Sequence, residues 1–70
     1  MKLRMSKQMD DVVVQWLNNH HNQPEAEAIE YTYDVWRLLL TSNVPSALLI
    51  PLRQMFIHDY PELEEDLTWV

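Results

Sequence analysis

Seventy residues are enough for one domain, but they bury a core too small to give more than marginal stability by itself. The chain has no Cys, so neither disulfides nor a zinc site built on thiolates can supplement that core, and association with another chain is the remaining common remedy. A formal net charge of -6 disfavours binding to the phosphate backbone of a nucleic acid.

The composition is that of a folded protein outside a membrane. Hydrophobic residues make up 47% of the chain, which is too apolar for a disordered segment, and the absence of glycine excludes glycine-rich nucleotide-binding loops. Lys2 and Arg4 are followed by polar residues, so no signal peptide is expected. Pro45 and Pro51 interrupt the apolar stretch 35–52, so no membrane-spanning helix is expected. These features predict a soluble, cytoplasmic protein.

The first predicted helix follows a basic arm, residues 1–6, which is expected to be flexible. Ser6 is a suitable N-cap, and Asp10 and Asp11 suit the positive end of the helix dipole. One helical face then carries Met9, Val12, Val13, Trp16, Leu17 and His20. The three- and four-residue spacing of this face predicts an amphipathic helix with His20 partly buried at its end.

The second predicted helix, residues 24–40, has the most informative pattern. Pro24 suits its first position. Its polar residues form one narrow stripe: Glu27, Glu30, Asp34, Arg37 and Thr41. One apolar seam holds Ala26, Ile29, Tyr33, Trp36 and Leu40, and a second holds Ala28, Tyr31, Val35, Leu38 and Leu39. Because a surface helix needs an apolar arc of only about 100° or somewhat more, we expect the first seam to pack inward and the second to face a partner.

The third predicted helix opens near Pro45, with Asn43 or Val44 as its cap. Its apolar face comprises Leu48, Leu49, Leu52, Met55 and Phe56. Pro51 lacks the amide that would bond the Ala47 carbonyl, which predicts a kink or a restart. Tyr60 precedes Pro61 and should end the helix.

The sequence thus predicts an all-α fold in which residues 1–70 form a single domain. The domain is expected to be a small three-helix unit that associates as an oligomer. Residues 61–70 form an acidic tail, and Asp59 with Glu62 has the spacing of a capping box. The tail is therefore predicted to be either an extension without regular structure or a short fourth helix.

No catalytic, cofactor or metal site is predicted. His20 and His21 are adjacent, so on a helix they point about 100° apart and lack the i, i+4 geometry of zinc-binding helices. Glu27 and Glu30 lack the histidine that completes a carboxylate-bridged metal site. The serines lie at helix starts or in connectors, where capping accounts for them. We therefore expect a protein that is not an enzyme.

The predicted function is that of a small acidic regulatory or adaptor protein that binds other proteins. The predicted interaction residues are Tyr31, Val35, Leu38, Glu27, Glu30, Asp34 and Trp69. Aromatic and aliphatic side chains would supply affinity, and the carboxylates would steer a basic partner. The expected partners are a second copy, forming a homodimer, and a larger protein with a basic surface.

Two alternatives belong to other classes. A helix-turn-helix DNA-binding regulator could use the second and third predicted helices, although its recognition helix would offer only Arg53, Gln54 and His58. A metal-binding protein could use the carboxylates of Glu27, Glu30 and Asp34.

Overall fold

The computed structural model describes residues 6–69, and every regular element in that range is helical. Helix α1 spans Lys7–Asn19, α2 spans Glu25–Thr41 and α3 spans Ser46–Asp59. A 3₁₀ turn at His20–Asn22 continues α1, and a 3₁₀ helix at Pro61–Glu65 follows α3. The all-α prediction is confirmed, and the short fourth helix is this 3₁₀ helix. Most of the predicted flexible arm lies outside the described residues.

Helix α1 buries a narrower face than its sequence predicts. The Oγ atom of Ser6 accepts a hydrogen bond from the Met9 amide at 3.3 Å, which confirms Ser6 as the N-cap. The buried residues of this face are spaced four, three and four apart: Met9, Val13, Trp16 and His20. Leu17 is 44% exposed, because a rotation of about 100° from Trp16 places it at the edge of this stripe.

Helix α2 is rotated relative to its predicted orientation. Its buried residues are Ala28, Thr32, Val35, Trp36 and Leu39. The prediction that Val35 faces a partner is wrong, since that side chain is only 4% exposed, whereas Ala26 of the predicted inward seam is exposed. Thr32 can lie among these buried residues because its hydroxyl is fully hydrogen-bonded. It donates to the Ala28 carbonyl at 2.7 Å and accepts from the Trp16 indole at 2.6 Å.

The connectors use residues that suit their backbone angles. Pro24 and Pro45 lie one residue before α2 and α3 as N-caps, not at the first helical position as predicted. Their carbonyls accept hydrogen bonds from the Ala28 amide at 2.9 Å and the Leu49 amide at 3.1 Å. Asn43, after α2, has a φ of 58°. In a chain without glycine, asparagine is well suited to this left-handed conformation.

Helix α3 continues through Pro51 as one element, so the predicted restart is wrong. Ala47 and Pro51 are both exposed, so the carbonyl that loses its amide partner lies on the solvent side. Phe56 is buried on the predicted face. The helix ends before Tyr60 as predicted, and the Tyr60 amide donates to the Phe56 carbonyl at 2.9 Å.

The tail is part of the core. Leu63 and Leu67 are buried at 2% and 0% exposure. Arg53 of α3 holds the tail in place: its Nε donates to the Leu67 carbonyl at 2.6 Å and its Nη2 to the Glu64 carbonyl at 2.8 Å. The tail therefore shields apolar surface that a unit of three helices alone would leave open.

Aromatic rings join the elements at the centre of the molecule. The Phe56 ring lies edge-on to Trp16, with centroids 4.6 Å apart, and edge-on to Trp36 at 6.5 Å. The Trp36 indole also donates to the Thr68 carbonyl at 2.8 Å. One contact cluster thus links α1, α2, α3 and the tail. Within residues 6–69, no helix has the length and apolar character needed to cross a membrane.

Candidate protein-docking site

An acidic cleft lies along α2. It is a shallow, open depression of about 420 Å³ lined by Gln23, Glu27, Glu30, Tyr31 and Asp34. The three carboxylates are exposed and Tyr31 is half-buried. Residues three and four apart are neighbours on a helix, so Glu27 and Asp34 flank Tyr31, and Glu30 lies between those two carboxylates along the helix.

The carboxylates of the acidic cleft have no cationic partner in the part of the chain that the structure describes. The ion pairs within residues 6–69 join Asp59 to His20 and to His58. Arg37, one turn after Asp34, instead donates to the Tyr33 hydroxyl at 3.2 Å. The Tyr33 hydrogen bond and the nearby charge of Asp34 raise the Arg37 pKa, so Arg37 offsets part of the Asp34 charge. The cleft still carries net negative charge, which favours a basic partner.

The seven predicted interaction residues occupy four places. Glu27, Glu30, Tyr31 and Asp34 line the acidic cleft. Leu38 is 42% exposed and follows Asp34 by four residues on the same helix, whereas Val35 belongs to the core. Trp69 is 50% exposed and lines a different depression. Gln23 was missed because it precedes α2 on extended backbone, where the helical spacing of α2 gives no signal.

An apolar groove lies between the end of α2, the start of α3 and the tail. It has a volume of about 650 Å³ and is lined by Leu40, Asn43, Val44, Pro45, Ser46, Leu49, Ile50 and Trp69. Trp69 is fixed edge-on to Trp36 at 5.2 Å, and the Arg53 guanidinium lies 5.7 Å from its ring centroid. Ile50 is 49% exposed. Sequence patterns missed this groove because it combines segments distant in the chain.

A histidine cluster joins the end of α1 to the end of α3. His20 is 1% exposed and stacks on Trp16, with ring centroids 3.9 Å apart and planes 2° apart. Its Nδ1 shares a hydrogen bond with the Tyr60 hydroxyl at 2.7 Å, and its Nε2 faces Asp59 Oδ2 at 3.6 Å. The ring of His21 lies against His20, with centroids 3.7 Å apart. His20 was predicted to be partly buried at the end of the helical face, and the structure buries it almost completely.

Burial sets the ionisation of this cluster. Desolvation lowers the pKa of His20 below its usual value, the charge of His21 lowers it further, and Asp59 opposes both effects. Desolvation raises the pKa of Tyr60, and the carboxylates of Asp59 and Glu25 add to that increase. His20 is therefore a neutral imidazole and Tyr60 a neutral phenol near pH 7.

No protein-family model, curated protein or solved structure matches this chain.

Proposed function

We propose that this protein is a small, non-catalytic regulatory or adaptor protein that binds a basic segment of a larger protein in its acidic cleft. One observation carries the proposal: exposed carboxylates of Glu27, Glu30 and Asp34 line the same cleft as Tyr31, and none forms an ion pair with Lys or Arg within residues 6–69. Charges left free on one face attract an oppositely charged partner and set its orientation.

The chemistry of the cleft fits Lys or Arg side chains. A carboxylate accepts paired hydrogen bonds from a guanidinium, and the face of a tyrosine ring attracts a cation by about 0.5–1 kcal/mol at an exposed site. The half-buried Tyr31 supplies such a ring between the carboxylates, and the exposed part of Leu38 offers an apolar contact nearby. The site therefore favours a segment that alternates basic and apolar residues.

One feature supports binding without catalysis. Ser6 caps α1, and the Ser42 hydroxyl donates to the Leu38 carbonyl at 2.7 Å, so both serine side chains serve helix ends.

A second feature weighs against the helix-turn-helix alternative. The main basic residue of α3 is Arg53, but its guanidinium donates hydrogen bonds to carbonyls of the tail. That engagement leaves little positive charge on α3 for a phosphate backbone.

The proposal is tested with a short Arg- and Lys-rich peptide and two matched triple variants. The first combines Glu27→Gln, Glu30→Gln and Asp34→Asn in the acidic cleft. The second combines Glu62→Gln, Glu64→Gln and Glu65→Gln in the tail, which changes the net charge equally. Because each exposed ion pair contributes about 0.2–1 kcal/mol, the cleft variant should bind the peptide about tenfold more weakly, as measured by fluorescence anisotropy.

The tail variant should stay within about threefold of the wild type. Equal losses in the two variants would show that only net charge matters, and this would contradict a docking site at the cleft. Absence of binding by the wild type at low salt would also contradict it.

We further propose that two copies associate through the apolar groove. The acidic clefts of two copies repel each other, whereas Ile50 and Trp69, which line the groove, are each about half exposed. A homodimer through the groove would leave both acidic clefts open for the larger partner.

Sedimentation equilibrium over a range of concentrations tests this homodimer. Ile50→Glu should shift the protein to monomer, whereas Val14→Glu, which adds the same charge at an apolar residue of α1 that is 51% exposed, should leave the mass unchanged. A wild-type protein that remains monomeric at every concentration would contradict self-association.

A further inference from the structure

The histidine cluster has the composition of a metal site, and it lies apart from both the acidic cleft and the apolar groove. One ligand atom from each of His20, His21 and Asp59 lies within 4.8 Å of the other two. Imidazole nitrogens and a carboxylate oxygen are the ligands that zinc prefers when thiolates are absent. Sequence patterns do not indicate this set, because Asp59 comes from the far end of α3.

The spacing of the two inner ligand atoms suits a tetrahedral ion. Bond lengths near 2.0–2.2 Å place two ligands of tetrahedral zinc about 3.4 Å apart. His20 Nε2 and Asp59 Oδ2 are 3.6 Å apart, which is close to that separation and longer than a hydrogen bond. His21 is exposed, so its ring can complete the set by rotation of its side chain.

Contacts around His20 hold its imidazole in an orientation in which Nε2 can act as a ligand. A metal-bound histidine normally donates its other ring N–H to a fixed acceptor. Here Nδ1 lies 2.7 Å from the Tyr60 hydroxyl, and that hydroxyl can donate its own proton to the His20 carbonyl at 3.5 Å. Stacking on Trp16 fixes the plane of the imidazole. The ring is thus oriented by contacts on its face and at Nδ1.

We propose that His20 Nε2, His21 and Asp59 bind one divalent transition-metal ion of the zinc class. The three protein ligands leave one position of the tetrahedron for water. Binding would tie the end of α1 to the end of α3 and raise the stability of the fold.

Zinc titration of the full chain, with competition from a chromophoric chelator, tests the site. Excess Mg²⁺ in the buffer suppresses binding to exposed carboxylates alone. The wild type should bind one equivalent of Zn²⁺, and its thermal midpoint should rise by more than about 5 °C at saturation. His21→Gln and Asp59→Asn, which change exposed ligands and spare the buried ring, should each weaken binding at least about tenfold.

His58→Gln is the matched control, since His58 contacts Asp59 at 3.2 Å but is not in the ligand set. Its affinity should stay within about threefold of the wild type. Failure to bind one saturable equivalent of Zn²⁺ would overturn the proposal. Unchanged affinity in Asp59→Asn would also overturn it, because binding would then rest on the histidines alone.

Discussion

Thr32 shows, at the scale of single residues, what a hydrophobic pattern leaves out. The pattern correctly placed Trp16 and Phe56 in the core, because large aromatic side chains at helical spacing are buried whenever a core forms. It gave no role to Thr32, which is 0% exposed. Burial of that hydroxyl depends on the indole of Trp16, which lies on another helix and so is not part of the local pattern.

Thr32→Val should destabilise the protein by about 1–3 kcal/mol, because the variant leaves the buried Trp16 N–H without an acceptor. Thr41→Val is the matched control. The Thr41 hydroxyl is exposed and donates only to carbonyls of its own helix, so this change should cost less than about 0.5 kcal/mol. Urea unfolding measures the free energy of unfolding of both variants. Equal midpoints for Thr32→Val and the wild type would show that the buried hydrogen bond contributes nothing.

At the scale of elements, caps and prolines predicted the helix bounds closely, whereas packing determined which faces are buried. Ser6, Pro24 and Pro61 mark element starts to within one residue, since their effects on the backbone are local. The rotation of α2 could not be predicted in this way. Ala28, Val35 and Leu39 of the seam assigned to a partner belong instead to the same buried cluster as Leu63 and Leu67.

The corrected orientation of α2 predicts different costs for two apolar truncations. Val35→Ala removes two buried methyl groups and should lower the free energy of unfolding by about 2 kcal/mol. Leu38→Ala removes a side chain that is 42% exposed and should cost less than about 1 kcal/mol. Thermal or urea unfolding compares the two variants. A cost for Val35→Ala as small as that for Leu38→Ala would restore the orientation predicted from sequence, in which both side chains face a partner.

For the whole molecule, the distribution of charge predicted more than any motif did. The described part of the chain concentrates carboxylates on α2 and the tail, while Arg37 and Arg53 bond to groups of their own chain. Sequence was sufficient to identify the acids of the cleft, because their spacing on one helix determines their neighbours. It was insufficient for the apolar groove and the histidine cluster, since each depends on contacts between distant segments.

The binding of a basic segment in the acidic cleft is tested most directly by the location of the bound peptide. Amide chemical shifts of ¹⁵N-labelled protein, followed during titration with the Arg- and Lys-rich peptide, give that location. The largest changes should fall at the residues of the acidic cleft, Gln23, Glu27, Glu30, Tyr31 and Asp34. Changes largest at the acidic residues of the tail, or spread evenly over all carboxylates, would contradict a docking site on α2.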